Sequence, residues 1–303
     1  MTTRTTAKPT RTTARPSRPS QRSRSSKRRP RSSARVRRRR IGCGAAVLLA
    51  AVAGIWLAAR LWERIGIEMP AIETGPDAIA AVDQPEAVGW PDEQPARGVD
   101  VSFPQCGRTL RDMEFGFVIV GLDGGMPNRP NPCFAAQWAF AQRQAGAAVY
   151  VNTADSGRGD PVKIGRKAGK GDVAALAEHG IDPGTPVWLD VELPEVWTGT
   201  QARHRAVISE HLRVLAEAGY PVGVYSAPAL WREITGDARL DVPIWVGIGR
   251  SSAERAAAVC DKKVFGGREP DVVQRIGEGS DGRPLDRNLV CKGVDLAGLV
   301  RPR

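Results

Sequence analysis

From residue 98 onward the chain alternates short apolar runs, rich in β-branched residues, with longer polar and Ala-rich segments. The runs are GVDVSF (98–103), FGFVIVGL (115–122), AAVYVN (147–152), PVWLDVE (186–192), PVGVYS (221–226), VPIWVGIG (242–249) and DVVQRI (271–276). Each has the length and composition of a strand, and helices are expected between them over 134–144, 172–179, 201–218, 228–234 and 251–259. In the third of these, Val207, Leu212, Leu215 and Ala218 fall at helical spacing and Gly219 follows as a stop. Such alternation predicts a parallel sheet covered by helices, either doubly wound or closed into a (β/α) barrel. No GxGxxG follows the first strand, so dinucleotide binding has no support.

The run PVWLDVE concentrates the chemistry. Alternate residues of a strand face opposite sides. Val187, Leu189 and Val191 therefore share the helix-facing side, and Trp188, Asp190 and Glu192 share the other, which in a barrel is the interior. The α-carbons of the two acids are about 6.5–7 Å apart in a strand. Buried carboxylates are costly unless paired or used, and repulsion between two of them raises the pKa of one. A protonated acid beside an ionised one is what cleavage of a glycosidic bond requires. Both acids stand at the C-terminal end of their strand, where barrel active sites form. GVDVS repeats the pattern: Asp100 and Ser102 face one way, and Val99, Val101 and Phe103 the other. Near the end of the chain Gln274 lies in DVVQRI, followed by Asp286, Arg287 and Asn288.

The order GVDVS, PVWLDVE, GYPVGVYS, then VVQ with a D-x-N about ten residues later, resembles the family 25 glycoside hydrolases over 98–291. The chain is similar, more closely still, to a family-25-like domain of exported bacterial proteins, where segments like FGFVIVGLDGG, YVNT and WVG recur. The resemblance implies an α/β fold, a modified TIM-type (β/α) barrel. It also implies hydrolysis of peptidoglycan or a related cell-wall glycan, with no cofactor and no metal. By position, Glu192 matches the general acid. Asp190 matches the partner that steadies oxocarbenium-like charge or orients the sugar. Asp100 matches the first-strand acid, Asp286 the late acid of the cleft, and Gln274 a cleft-lining polar residue. Trp188, Tyr225 and Trp245, in the same motifs, are candidate substrate-binding aromatics. Where the family usually has a Thr-Glu-Gly-like and an aromatic–His segment, this chain has GLDGGMP (121–127) and YVNT (150–153). That makes Asp123 and Asn152 candidate replacements in the cleft. The alternative is a barrel that binds cell-wall glycan, or scaffolds partners, without turnover.

The first 97 residues read differently. Residues 1–40 hold sixteen Lys and Arg and no acid, which leaves 28 basic against 33 acidic residues for the rest. The formal charge of +11 therefore belongs to one tail. That tail is too poor in apolar residues to offset its ordering entropy, so disorder is expected and nucleic-acid binding by a basic folded surface is not. Residues 41–59 carry no charge, and 41–62 has the length and flanks of a membrane-spanning signal anchor. The arginines before it place the tail in the cytoplasm and the barrel outside; secretion after signal cleavage is the alternative. Residues 63–97, with eight acids and five prolines, read as a linker. The domain at 98–303 has four cysteines, Cys106, Cys133, Cys260 and Cys291, which suits an oxidising compartment. Three pairings are possible, and the sequence-local ones, Cys106–Cys133 and Cys260–Cys291, are favoured. Oligomeric state is open.

Two further motifs carry less. GRKAGKGD (165–172) lacks the spacing of a phosphate loop and reads as a mobile basic surface loop. His204 and His211 share one helical face without the H-E-x-x-H pattern of a zinc site.

Overall fold

In the computed structural model the chain divides into two units, Met1–Ile72 and Glu73–Arg303. The structure describes residues 78–89, 96–108 and 115–303, all in the second unit. The basic tail, the apolar segment at 41–62 and residues 63–77 lie outside the described residues. Among the described residues no helix is long and apolar enough to cross a membrane.

Seven strands run parallel in succession: β1 (Arg97–Val101), β2 (Phe117–Gly121), β3 (Gly146–Asn152), β4 (Val187–Asp190), β5 (Val222–Ser226), β6 (Ile244–Arg250) and β7 (Val272–Glu278). An eighth, β8 (Pro284–Val290), turns back from β7 and pairs antiparallel with both β7 and β1. Pairing of β2 with β3 closes the eight into a barrel. A two-residue β9 (Arg301–Pro302) adds antiparallel to the start of β3. The helices are α1 (Phe134–Ala141), α2 (Pro161–Glu178), α3 (Gln201–Glu217), α4 (Pro228–Thr235) and α5 (Ala253–Cys260).

Every apolar run contains a strand, but two elements depart from the expectation. β8 reads PLDRNLV, whose Pro, Asp and Asn disfavour strands in isolation. It forms because neighbours on both sides complete its ladder. The segment GRKAGKGD is not a loop: it lies inside α2, which starts at Pro161 with Asp160 as N-cap and is 18 residues long. Its glycines are packing devices. A Cβ on Gly165 would collide with the Val207 carbonyl oxygen of α3, and one on Gly169 would lie 2.8 Å from Val214 Cβ. The two helices therefore approach at backbone distance, and the lysines and arginine between the glycines take the outer faces.

Strand alternation sorts the core into two layers. Val99, Val101, Val118, Val120, Val187, Leu189, Val191 and Val224 pack outward against the helices. Phe117, Ile119, Trp188, Trp245 and Val272 fill the lower interior, closed from below by Leu296, Leu299 and Val300. Small residues make room there: a Cβ on Gly223 would collide with the Trp188 ring.

Residues 78–89, inside the stretch read as a linker, run along this domain. Ala78 bridges to Arg239, Ile79 is buried, and the Gln84 side chain both donates to and accepts from the Val222 backbone, at 3.0 and 2.8 Å. The two sequence-local disulfides, Cys106–Cys133 and Cys260–Cys291, are formed. The first pins the turn after β1 to the start of α1. The second ties the end of α5 to the residue after β8.

Candidate active site

A cleft of about 530 Å³ opens at the C-terminal ends of the strands. The register explains why acids collect there. Asp100 on β1 lies directly opposite Asp286 on β8, and Asn152 on β3 is level with Asp190 on β4. Glu192 follows two residues after Asp190, just past the end of β4. Asp100, Asp190, Glu192 and Asp286 all line this one cleft, with Asn152, Tyr225, Trp245 and Gln274.

Each acid has its own electrostatic setting. The Asp100 carboxylate accepts two bonds from Gln274 Nε2, both at 3.1 Å, and one from Asn288 Nδ2 at 2.9 Å. Burial, and then the charge of Asp286, nonetheless push its pKa well up. Asp190 accepts from Asn152 Nδ2 at 2.5 Å, yet burial and the neighbouring Glu192 also raise it well above the ordinary value. Glu192 is raised by burial, against the pull of the Tyr225 hydroxyl, while Asp286 opposes its ionisation. Asp286 is raised by burial and pulled back by Arg108. Four interacting carboxyl groups in one desolvated cleft hold protons to higher pH than free acids do.

Tyr225 donates to Gln274 Oε1 at 2.9 Å, and Trp245 Nε1 donates to Asn288 Oδ1 at 2.9 Å. A chain of bonds thus runs from Tyr225 through Gln274 to Asp100, and on through Asn288 to Trp245. Asn152 Oδ1 and Asp190 Oδ1 are buried without a hydrogen-bond partner among the described residues. They belong to residues that line the cleft, so a bound group carrying N–H or O–H donors would satisfy them.

Three sequence expectations shift in space. Trp188 faces inward, but it is 1% exposed in the floor beneath the cleft, where its Nε1 donates to Leu299 O at 3.1 Å. Asp123 is buried behind the wall, not in it: its Oδ2 accepts the Asn152 backbone N–H at 2.8 Å. Phe103 does not continue the outward face of β1, because the strand ends at Val101 and a 3₁₀ turn (Phe103–Gln105) follows. The ring lies at the cleft rim, 44% exposed.

Sequence reasoning missed Tyr150 and Arg108, and it named Asn288 in the D-x-N motif without giving it a role. Tyr150 alternates correctly with Asn152 on β3, and period two alone would have found it. Arg108 binds Asp281 at 2.7 Å and the Pro284 carbonyl at 2.7 Å, clamping the β7–β8 turn; no local pattern marks it. The two set-aside histidines are structural. His204 Nδ1 meets the Ile234 carbonyl at 2.7 Å, and His211 bridges Asp172 Oδ2 at 2.6 Å and Thr153 Oγ1 at 3.1 Å.

Comparison with known proteins fits this geometry. A family model described as Lysozyme-like protein 1 matches residues 133–273. No curated protein matches the sequence. Among solved structures, the spore cortex lytic enzyme SleM of Clostridium perfringens aligns with a TM-score of 0.52 at 16% identity, covering 68% of this chain and 70% of that one. The bacterial lysozyme of Streptomyces coelicolor aligns at 0.47 and 18% identity, over 66% and 93% of the two chains. A family 25 glycosyl hydrolase of Bacillus anthracis aligns at 0.46 and 18%, over 70% and 94%. The likeness to SleM supports the barrel as a fold, and the family match falls on the segment from α1 to β7 that carries Asn152, Asp190 and Glu192. Residues 133–273 thus resemble that lysozyme-like family, and the barrel is similar in fold to SleM.

Proposed function

We propose that this protein hydrolyses glycosidic bonds in cell-wall peptidoglycan or a closely related glycan. The observation that carries the reading is the convergence of Asp100, Asp190, Glu192 and Asp286 on one cleft at the strand ends. Glu192 is half-buried, and burial raises its pKa, so it holds a proton to higher pH than a free glutamate and can deliver it to the leaving-group oxygen. Asp190, held by Asn152, faces the charge that develops on the sugar ring. Water completes the cleavage: its hydroxyl joins the sugar carbon, and its proton restores the acid. The two unpartnered buried acceptors, on Asn152 and Asp190, suit a substrate rich in hydroxyl and amide donors. The likeness in fold to SleM, a spore cortex lytic enzyme, favours a wall glycan over other polysaccharides.

The test is release of soluble fragments from purified peptidoglycan. Wild type should release them, with an alkaline limit above the ordinary glutamate value of 4.5 because Glu192 must be protonated. Glu192→Gln should lower the rate by about 10²–10⁴-fold. Equal release by the two proteins would remove Glu192 as the acid; no release by wild type, with retained glycan binding, would favour a non-hydrolytic binding module.

The same reading places the domain outside the cytoplasm, with the span at 41–62 in the cytoplasmic membrane and the basic tail inside. Two intact disulfides support an oxidising compartment. Protease added to spheroplasts should degrade the domain and spare residues 1–40. A mature N-terminus beyond residue 41 would instead show a cleaved signal.

A further inference from the structure

We infer that the outer face of the β7–β8 hairpin holds a second site, one that binds a phosphate-type oxyanion. The last βα unit of the barrel is replaced here by this hairpin, so β8 has no helix of its own. Beside it, between β1, β8, β7 and α5, lies a groove of about 340 Å³. Arg97, Arg275 and Arg287 line it, with Glu254 as the one carboxylate among its lining residues.

The arrangement of the arginines is costly without a ligand. Arg275 and Arg287 are direct partners across the antiparallel ladder, where like charges destabilise a sheet. Both side chains pass over Gly277: a Cβ there would lie 2.8 Å from Arg275 Nη1 and 2.9 Å from Arg287 Cδ. The glycine lets the two charged groups share one spot. None of the three arginines forms an ion pair among the described residues. Arg275 donates to the Ser251 carbonyl at 3.1 Å, and Arg287 to the Glu278 carbonyl at 2.6 and 3.2 Å. These bonds fix the two guanidinium groups and leave N–H donors on each without an acceptor among the described residues.

The opposite wall is small and fixed. α5 contributes Ala256 and Ala257, and the Cys260–Cys291 disulfide ties its end to the chain after β8. The groove is thus held open rather than free to collapse. Three forked donors and a surplus of positive charge fit a tetrahedral phosphate-type oxyanion carrying one to two negative charges. Two sources share that chemistry: free phosphate and the phosphodiester chain of an anionic polymer. The site stands apart from the cleft and does not depend on the hydrolase reading. It shares the hairpin with it, since Asp286 and Gln274 point inward beside Arg287 and Arg275, which point outward.

Thermal melting of the full chain tests this at constant ionic strength, with inorganic phosphate and with a short poly(glycerol phosphate) chain, each against chloride. At about a hundred times Kd, binding should raise the wild-type Tm by about 5–10 °C. A larger shift per phosphate with the polymer assigns the site to a phosphodiester chain, and an equal one to free phosphate. The double variant Arg275→Gln, Arg287→Gln should lose the shift, and its Tm in chloride should be no lower than that of wild type, because the repulsion is gone. Arg97→Gln, at an exposed edge, should weaken the shift without affecting the fold. Arg143→Gln, on the far side of the barrel, should retain it. Absence of any shift in wild type, or an undiminished shift in the Arg275/Arg287 double variant, overturns the proposal.

Discussion

Asp123 and Asn152 look alike in sequence, as two polar residues at strand ends, but the fold gives them different work. Asn152 reaches the cleft and holds Asp190. Asp123 stands behind it and fixes the Asn152 backbone. Burial, and then the charge of Asp172, raise the Asp123 pKa from 3.8 to about 8. The folded chain therefore keeps a proton there that the unfolded chain has released. The stability tied to that proton is complete below about pH 4 and is lost as pH rises through about 8. Asn at this position retains an acceptor for the Asn152 N–H and cannot ionise. Asp123→Asn should match wild type near pH 4 and exceed it increasingly up to pH 8, by a few kcal/mol at order of magnitude. Melting curves at pH 4.5 and pH 8 check this; a constant difference between the two proteins would refute it.

At the scale of elements, the two tightest constraints come from small residues and from a hairpin. α2 and α3 meet through Gly165 and Gly169, and His211 and Asp172 join hands across the same seam, 2.6 Å apart. Ala has the higher helix propensity, worth about 1 kcal/mol over Gly. Gly165→Ala should nonetheless destabilise the domain by about 1–3 kcal/mol, since the methyl meets a backbone oxygen that cannot rotate away. Denaturant unfolding measures the balance, and a net gain in stability would show that the helices can part without loss. The sequence announces α3 through its apolar spacing and α2 only over 172–179; the first part of α2 hides because its close face is glycine and its outer face charged. β8 hides for a related reason: its residues are chosen for the two sides they face, not for strand propensity. Its Asp286 serves the cleft and its Arg287 the outer groove.

For the molecule as a whole, the barrel is fastened where its repeat is irregular. The Cys260–Cys291 bridge spans 31 residues and closes α5 onto the hairpin that replaces a final βα unit. Replacing both cysteines by Ser should lower stability by about 3–4 kcal/mol on the chain-entropy account. The loss should also appear as earlier hydrogen exchange in β7 and β8 than in β4 and β5; uniform exchange would place the bridge outside the weak region. Residues 78–89 act from the other side, docking on β5 and beside α3, so the folded unit begins before β1.

The sequence by itself determined the alternation of strands and helices, the inward placement of Asp100, Asp190 and Glu192, and the four cysteines of the domain at 98–303. These are local properties: strand period and strand-end position are written in consecutive residues. Its cysteine spacing also favoured the pairing that forms. Tertiary structure decided that eight strands close, and that Asp286 comes to lie opposite Asp100 from 186 positions away. It also decided that Trp188 is floor while Tyr225 is wall, and that Arg275 and Arg287 share a groove. Those outcomes depend on which strand neighbours which, and register between distant strands is set by packing, which no single segment encodes.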